Sequence, residues 1–169
     1  MSVIPDLIEG KSRIAGRGVF AGRRYTSGDL IFDFMKPPPA FCHRDDLPMG
    51  KAIALQVSHD IYLLASGAID DYFNHSCDPN AAVIIRGGTA ILRAIRPIKP
   101  MEEITFDYSL TMVDNPLEIP CRCGVPACRK VVREYRTLPA EVRHRYEHLK
   151  IVPEYVLFEP AKIHSDVKT

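Results

Sequence analysis

The sequence contains no tryptophan, and its formal net charge is only +1. No run in it approaches the roughly 20 apolar residues that span a bilayer, which excludes a membrane helix of that kind. The near-neutral balance gives no global reason to bind nucleic acid or an anionic membrane surface. Long helical patterns are scarce as well: 14 prolines and 10 glycines among 169 residues point to many turns and short strands. The opening stretch carries Pro5, Asp6 and Glu9 and lacks the apolar core of a secretory signal. The expectation is one soluble, intracellular domain with a single core.

Taken in order, the chain reads as mainly β. Residues 11–20 look like a strand with a glycine bulge at Gly16 and Gly18, and 29–34 like a second strand stopped by Pro37-Pro38-Pro39. Residues 36–51 are irregular, and 52–57 and 61–65 are short apolar strands. Residues 81–85 and 89–95 flank Arg86-Gly87-Gly88. A Gly-Gly pair tolerates the positive φ of a primed turn, so these runs form a hairpin. Residues 103–108 return as a strand. One helix is expected over 139–150, with Val142, Tyr146 and Leu149 on its apolar face. The basic residues around it read as a solvated face rather than a polyanion site.

Five cysteines is an odd number, and Cys121, Cys123 and Cys128 sit close together. A secreted disulfide framework more often spreads an even set, so the cluster points to metal. Three thiolates are one short of the tetrahedral set of structural zinc, and Cys77 is the natural fourth. Free thiols or an iron–sulfur cluster are the alternatives, and Cys42 is left over as a free thiol. Four thiolates leave no open position for water, which disfavours a metal-activated hydrolase. Cys77 lies in Asn74-His75-Ser76-Cys77-Asp78-Pro79-Asn80, where Asp-Pro disfavours helix and holds polar side chains on a turn. Tyr108 lies between the two cysteine groups.

These pieces together resemble the SET-domain protein-lysine methyltransferases. The Asn74–Asn80 stretch is similar to the family's Asn-His-Ser-Cys-x-Pro-Asn segment, and Glu102-Glu103-Ile104-Thr105-Phe106-Asp107-Tyr108 to its Glu-Glu-Leu-Thr-Phe-Asp-Tyr segment. Gly16-Arg17-Gly18-Val19-Phe20-Ala21 resembles the opening Gly-x-Gly motif, and the late cysteines resemble the post-SET Cys-x-Cys-x4-Cys. The resemblance implies a β-clip fold of small curved sheets with a pseudoknot, a short zinc-binding segment and a C-terminal helix. Its implied division is a SET domain over 1–115, a post-SET segment over 116–132 and an extension over 133–169.

It also implies S-adenosylmethionine and structural Zn2+ as cofactors. Gly16, Arg17, Gly18, Phe20, Asn74 and His75 would hold the former, and Cys77, Cys121, Cys123 and Cys128 the latter. Tyr108 would be catalytic and would share a lysine channel with Phe106, whose identity implies room for two or three methyls. Val131 and Val132 would pack on the adenine. Implied partners are a lysine-bearing protein or peptide, with neither a membrane nor nucleic acid as direct substrate, in the cytoplasm or on chromatin. Two departures stand out: Asp71 replaces a common Arg, and Met101 replaces a turn glycine.

Two other readings stay in play. One is a zinc- and peptide-binding module that has lost catalysis. The other is a cysteine hydrolase using Cys77 and His75, whose side chains, two residues apart on a turn, are expected to diverge.

Overall fold

The computed structural model describes residues 5–47 and 54–158. Short strands dominate, in the order β1 (Leu7–Ser12), β2 (Gly16–Ala21), β3 (Leu30–Asp33), β4 (Phe41–His43), β5 (Ala54–Gln56) and β6 (Ile61–Leu64). Then follow β7 (Asn74–His75), β8 (Ala81–Arg86), β9 (Thr89–Ala94), β10 (Thr105–Phe106), β11 (Ile119–Pro120) and β12 (Val131–Val132). Two helices close the chain, α1 (Ala140–His148) and α2 (Glu154–Leu157).

The strands pair into five small sheets: β1–β2, β3–β9–β8, β4–β6–β5, β11–β12, and the parallel pair β7–β10. The β8–β9 hairpin is as expected, with Gly87 at φ 54° and Gly88 at φ 76° in its turn. Residues 11–20 are not one bulged strand. The chain reverses between Ser12 and Gly16, because Gly16 at φ 79° takes the left-handed conformation and the Ser12 hydroxyl accepts the Ile14 N–H at 2.9 Å. The stretch that looks irregular holds β4 and a 3₁₀ turn at Arg44–Asp46. β4 exists through its distant partner β6, which no local pattern announces. Residues 48–51 of that stretch, and Ala52 and Ile53 of the expected strand over 52–57, lie outside the described residues.

β8 is buried on both faces, and this organises the interior. Ala81 and Val83 face one core with Val19, Tyr25, Leu92 and Ile104. Ala82 faces a second, with Leu110, Tyr135, Leu138, Tyr146 and Val156. Alternation at period two delivers neighbouring residues to opposite sides. Full burial of a side chain such as Leu92 contributes about 1.5–3 kcal/mol. The second core is where α1 docks, so the C-terminal part described here packs directly on the sheet. Tyr146 is fully buried as the periodicity requires, but Leu149 is exposed because the helix ends at His148. The short α2 was not legible from the sequence pattern. Its Val156 enters the second core, and the Tyr155 hydroxyl donates to the carbonyls of Gln56 and Thr111 at 2.8 and 2.7 Å.

Candidate active site

Four stretches that are far apart in sequence converge beside β7 and β10: the β1–β2 turn, the turn after Asn74, the 3₁₀ turn at Tyr108–Leu110, and residues 119–132. β7 and β10 pair in register, Asn74 with Thr105 and His75 with Phe106. Asn80, almost completely buried, stitches the two strands' extensions: its Oδ1 accepts the Thr105 N–H at 2.9 Å and its Nδ2 donates to the Glu103 carbonyl at 2.8 Å. Asn80 was read only as the end of a motif, and the structure makes it the residue that holds the motif's register.

Asn74 Nδ2 donates to the Arg17 carbonyl and to Glu103 Oε1, both at 2.7 Å. Gly18 has no side chain because a Cβ there would meet the Glu103 carboxylate and the Asn74 amide. The second glycine of the opening motif therefore makes room for the protein's own hydrogen bonds. The Arg17 guanidinium turns outward, stacked 3.6 Å from the Tyr72 ring centroid and bonded to Glu9. The Phe20 ring lies against Gly10, and Phe20 is not among the residues lining the cavity described below. Asp71 accepts the N–H groups of Ser66 and Gly67, fixing a loop. Met101 occupies φ 65°, the conformation a turn glycine would take without cost.

Tyr108 begins the 3₁₀ turn rather than ending a strand. Its ring packs 4.8 Å from that of Phe106 and 5.3 Å, edge-on, from His75. Its hydroxyl donates to the Phe73 carbonyl at 2.8 Å. Burial, with the Glu103 charge adding to it, pushes that hydroxyl up to about 12, so it stays protonated at neutral pH.

Burial drives the His75 imidazole down to about 4; Asp107 opposes this and Arg129 adds to it. The neutral ring accepts the Tyr108 N–H on Nδ1 at 3.2 Å, leaving Nε2–H facing Cys77 Sγ at 3.3 Å. The expected divergence of His75 and Cys77 is thus wrong. β7 ends at His75 and the chain bends at Cys77, where the sulfur comes within 3.3 Å of the imidazole.

Cys77 Sγ lies 3.8 Å from Cys121 Sγ, which lies 3.6 Å from Cys128 Sγ. With Cys123 the four sulfurs all fall within 4.8 Å of one another. A regular tetrahedron with Zn–S arms of about 2.3 Å has edges of about 3.8 Å, so this arrangement fits a zinc ion. The Arg129 N–H, 3.4 Å from Cys77 Sγ, and the His75 Nε2–H supply outer-shell donors to the same sulfur. Burial pushes the Cys77 and Cys121 thiols up. At Cys123 burial is outweighed by the N–H groups of Cys77 and Val125, and the thiol falls to about 7. Cys77 belongs to the sulfur cluster, and a sulfur committed to a metal is no free nucleophile for His75 to activate.

A cavity of about 80 Å³ opens between these parts, lined among others by Ile14, Ala15, Asn74, His75, Tyr108 and Val132. Ile14 and Ala15 were missed by sequence reasoning, and their only signal was apolar character just before the Gly-x-Gly. Val131 pairs with Pro120 across β11–β12.

The family model for the SET domain matches residues 16–109. The chain belongs to the SET-domain family. It is 33% identical to the histone-lysine N-methyltransferase TRX1 of Oryza sativa subsp. japonica over 139 residues, covering 74% of this chain and 13% of that protein. It is 42% identical to the histone-lysine N-methyltransferase trr of Drosophila melanogaster over 146 residues, covering 71% of this chain and 5% of that one. The chain thus spans a small part of these relatives' length. Among solved structures it is similar to KRYPTONITE in complex with mCHG DNA and SAH, at a TM-score of 0.59 and 23% identity, over 75% of this chain and 29% of that one. The SET fold accounts for the mainly β architecture. No helix among the described residues is long and apolar enough to cross a membrane.

Proposed function

We propose that this SET-domain chain is an S-adenosylmethionine-dependent protein-lysine N-methyltransferase with a structural zinc. The observation that carries the proposal is the placement of Tyr108: its ring lies against Phe106 and His75, beside the Asn74 turn and the four cysteines. The names of the relatives support a protein lysine as substrate, and histone H3, the peptide bound in another KRYPTONITE structure, is the first candidate.

The chemistry follows from the residues. S-adenosylmethionine supplies an electrophilic methyl on a positive sulfur. Methyl transfer is an in-line displacement, so orientation supplies much of the rate. The acceptor amine must be neutral, although lysine ordinarily titrates near 10.4. The apolar walls of Phe106 and Tyr108 disfavour its charged form. The Tyr108 hydroxyl, protonated and committed as a donor to Phe73, is an orienting and electrostatic group with oxygen lone pairs to offer, and not a base. The Asn74 and His75 backbone, Ile14, Ala15 and Val132 form the donor's side of the cavity. The zinc, held by Cys77, Cys121, Cys123 and Cys128, fixes that segment to the Asn74 turn. The boundaries 1–115, 116–132 and 133–169 describe the same division into catalytic, zinc-binding and C-terminal parts.

The test is methyl transfer from labelled S-adenosylmethionine to an H3 peptide and to a protein mixture, followed by identification of the modified residue. Tyr108→Phe should lower kcat by about 100-fold or more while S-adenosylhomocysteine affinity holds. Transfer to no lysine by zinc-loaded protein that binds the donor would favour the silent binding module.

A further inference from the structure

Asp107 directly precedes Tyr108, is completely buried, and is used by none of the steps above. Its Oδ1 accepts the Ser109 N–H at 3.0 Å, capping the 3₁₀ turn that carries Tyr108. The same oxygen accepts from Arg129 Nη2 at 2.7 Å, and Arg129 directly follows the zinc ligand Cys128. Its Oδ2 accepts from the Tyr146 hydroxyl at 2.9 Å. Tyr146 is itself fully buried on α1. A carboxylate held in the interior by donors from three directions has one available orientation, because losing any donor leaves a buried lone pair unpaired.

We infer that Tyr146 and Asp107 are positioning residues for Tyr108, and that α1 is therefore a working part of the active site. The inference rests on the methyltransferase reading. Tyr146 lies outside residues 16–109, the part that matches the family model. It holds Oδ2, the carboxylate oxygen that Ser109 and Arg129 do not bond. The carboxylate fixes the turn, and the turn sets the direction of the Tyr108 ring toward Phe106 and the Phe73 carbonyl.

The same helix region carries an internal control. Tyr135 packs in the same core, but its hydroxyl donates to Glu147 Oε1 at 3.0 Å, and Glu147 is exposed. Tyr146→Phe and Tyr135→Phe each remove one hydroxyl from one cluster. In the full zinc-loaded chain, Tyr146→Phe should lower kcat about tenfold and leave the peptide KM within about twofold. It should also move the ring resonance of Tyr108 in ¹³C-tyrosine-labelled protein. Tyr135→Phe should lower the melting temperature less, because water reaches the exposed Glu147, and should leave kcat and the Tyr108 resonance at wild-type values.

The inference is overturned if both variants lower kcat alike, if Tyr146→Phe leaves kcat unchanged, or if the Tyr108 resonance does not move. Should the wild type transfer no methyl, the methyltransferase reading fails separately. The resonance then decides alone whether Tyr146 positions Tyr108.

Discussion

On one side of the cavity β7 and β10 lie side by side, and nearly every residue around them, Asn74, His75, Asn80, Thr105, Phe106 and Asp107, is buried. On the other side β11 and β12 pair over two residues each, and Cys121, Cys123 and Cys128 are only half-buried. The first wall is held by core packing and by side chains that bond backbone across long sequence separations. The second pairs over only two residues per strand, and its sulfurs are placed for a metal. Tyr108 stands on the first kind of wall, where its direction is over-determined.

The most severe way to break this contrast is to remove the zinc. Zinc-finger peptides gain about 10–16 kcal/mol from their ion, so a chelator should cost the second wall its order outright. Hydrogen exchange should then show protection lost over residues 119–132 and kept in β8 and β9; equal loss in both would mean the walls are not separately held. Cys123→Ser should reproduce the chelator's effect and Cys42→Ser should not, as counted by bound zinc.

Asp107→Ala attacks the first wall instead. It leaves the Arg129 guanidinium buried without its carboxylate, which should cost about 3–5 kcal/mol in urea unfolding. A cost near zero would mean that water reaches Arg129. Gly18→Ala is a smaller probe of the same wall. The added methyl would meet the Glu103 carboxylate and the Asn74 amide, and overpacking of this kind costs about 1–3 kcal/mol.

Alkaline pH should have the mildest effect. Burial holds the protons of Tyr108, Tyr135, Tyr146 and Tyr155 above the ordinary tyrosine value, Tyr108 up to about 12. In the unfolded chain these groups ionise near pH 10. The unfolded state therefore binds fewer protons than the folded one above that pH, and stability falls as pH rises from about 10 to about 12. The urea midpoint should be lower at pH 11 than at pH 9, and less so in Tyr146→Phe.

How much of this was legible depended on distance along the chain. The Gly-Gly hairpin, the helix around Tyr146 and the clustering of Cys121, Cys123 and Cys128 are local signals, and the structure carries all three. β4 and the short α2 were not legible, because each is held by partners far away in sequence. Leu149 was misplaced for the opposite reason, since the periodicity ran past His148, where the helix stops. Gly16 and Gly18 were recognised as a motif, yet only coordinates separate a turn residue at positive φ from a residue that clears space for Glu103 and Asn74.

The sequence by itself determined which residue types are available, in what order, and the family they spell out, because those depend on identity and spacing alone. It left Asp107 as an unremarked letter between Phe106 and Tyr108. Only the tertiary structure decided that this carboxylate joins the turn carrying Tyr108, the cysteine segment and α1. Hydrogen bonds act over about 3 Å, and which residues stand that close, 22 or 39 positions apart, is set by packing.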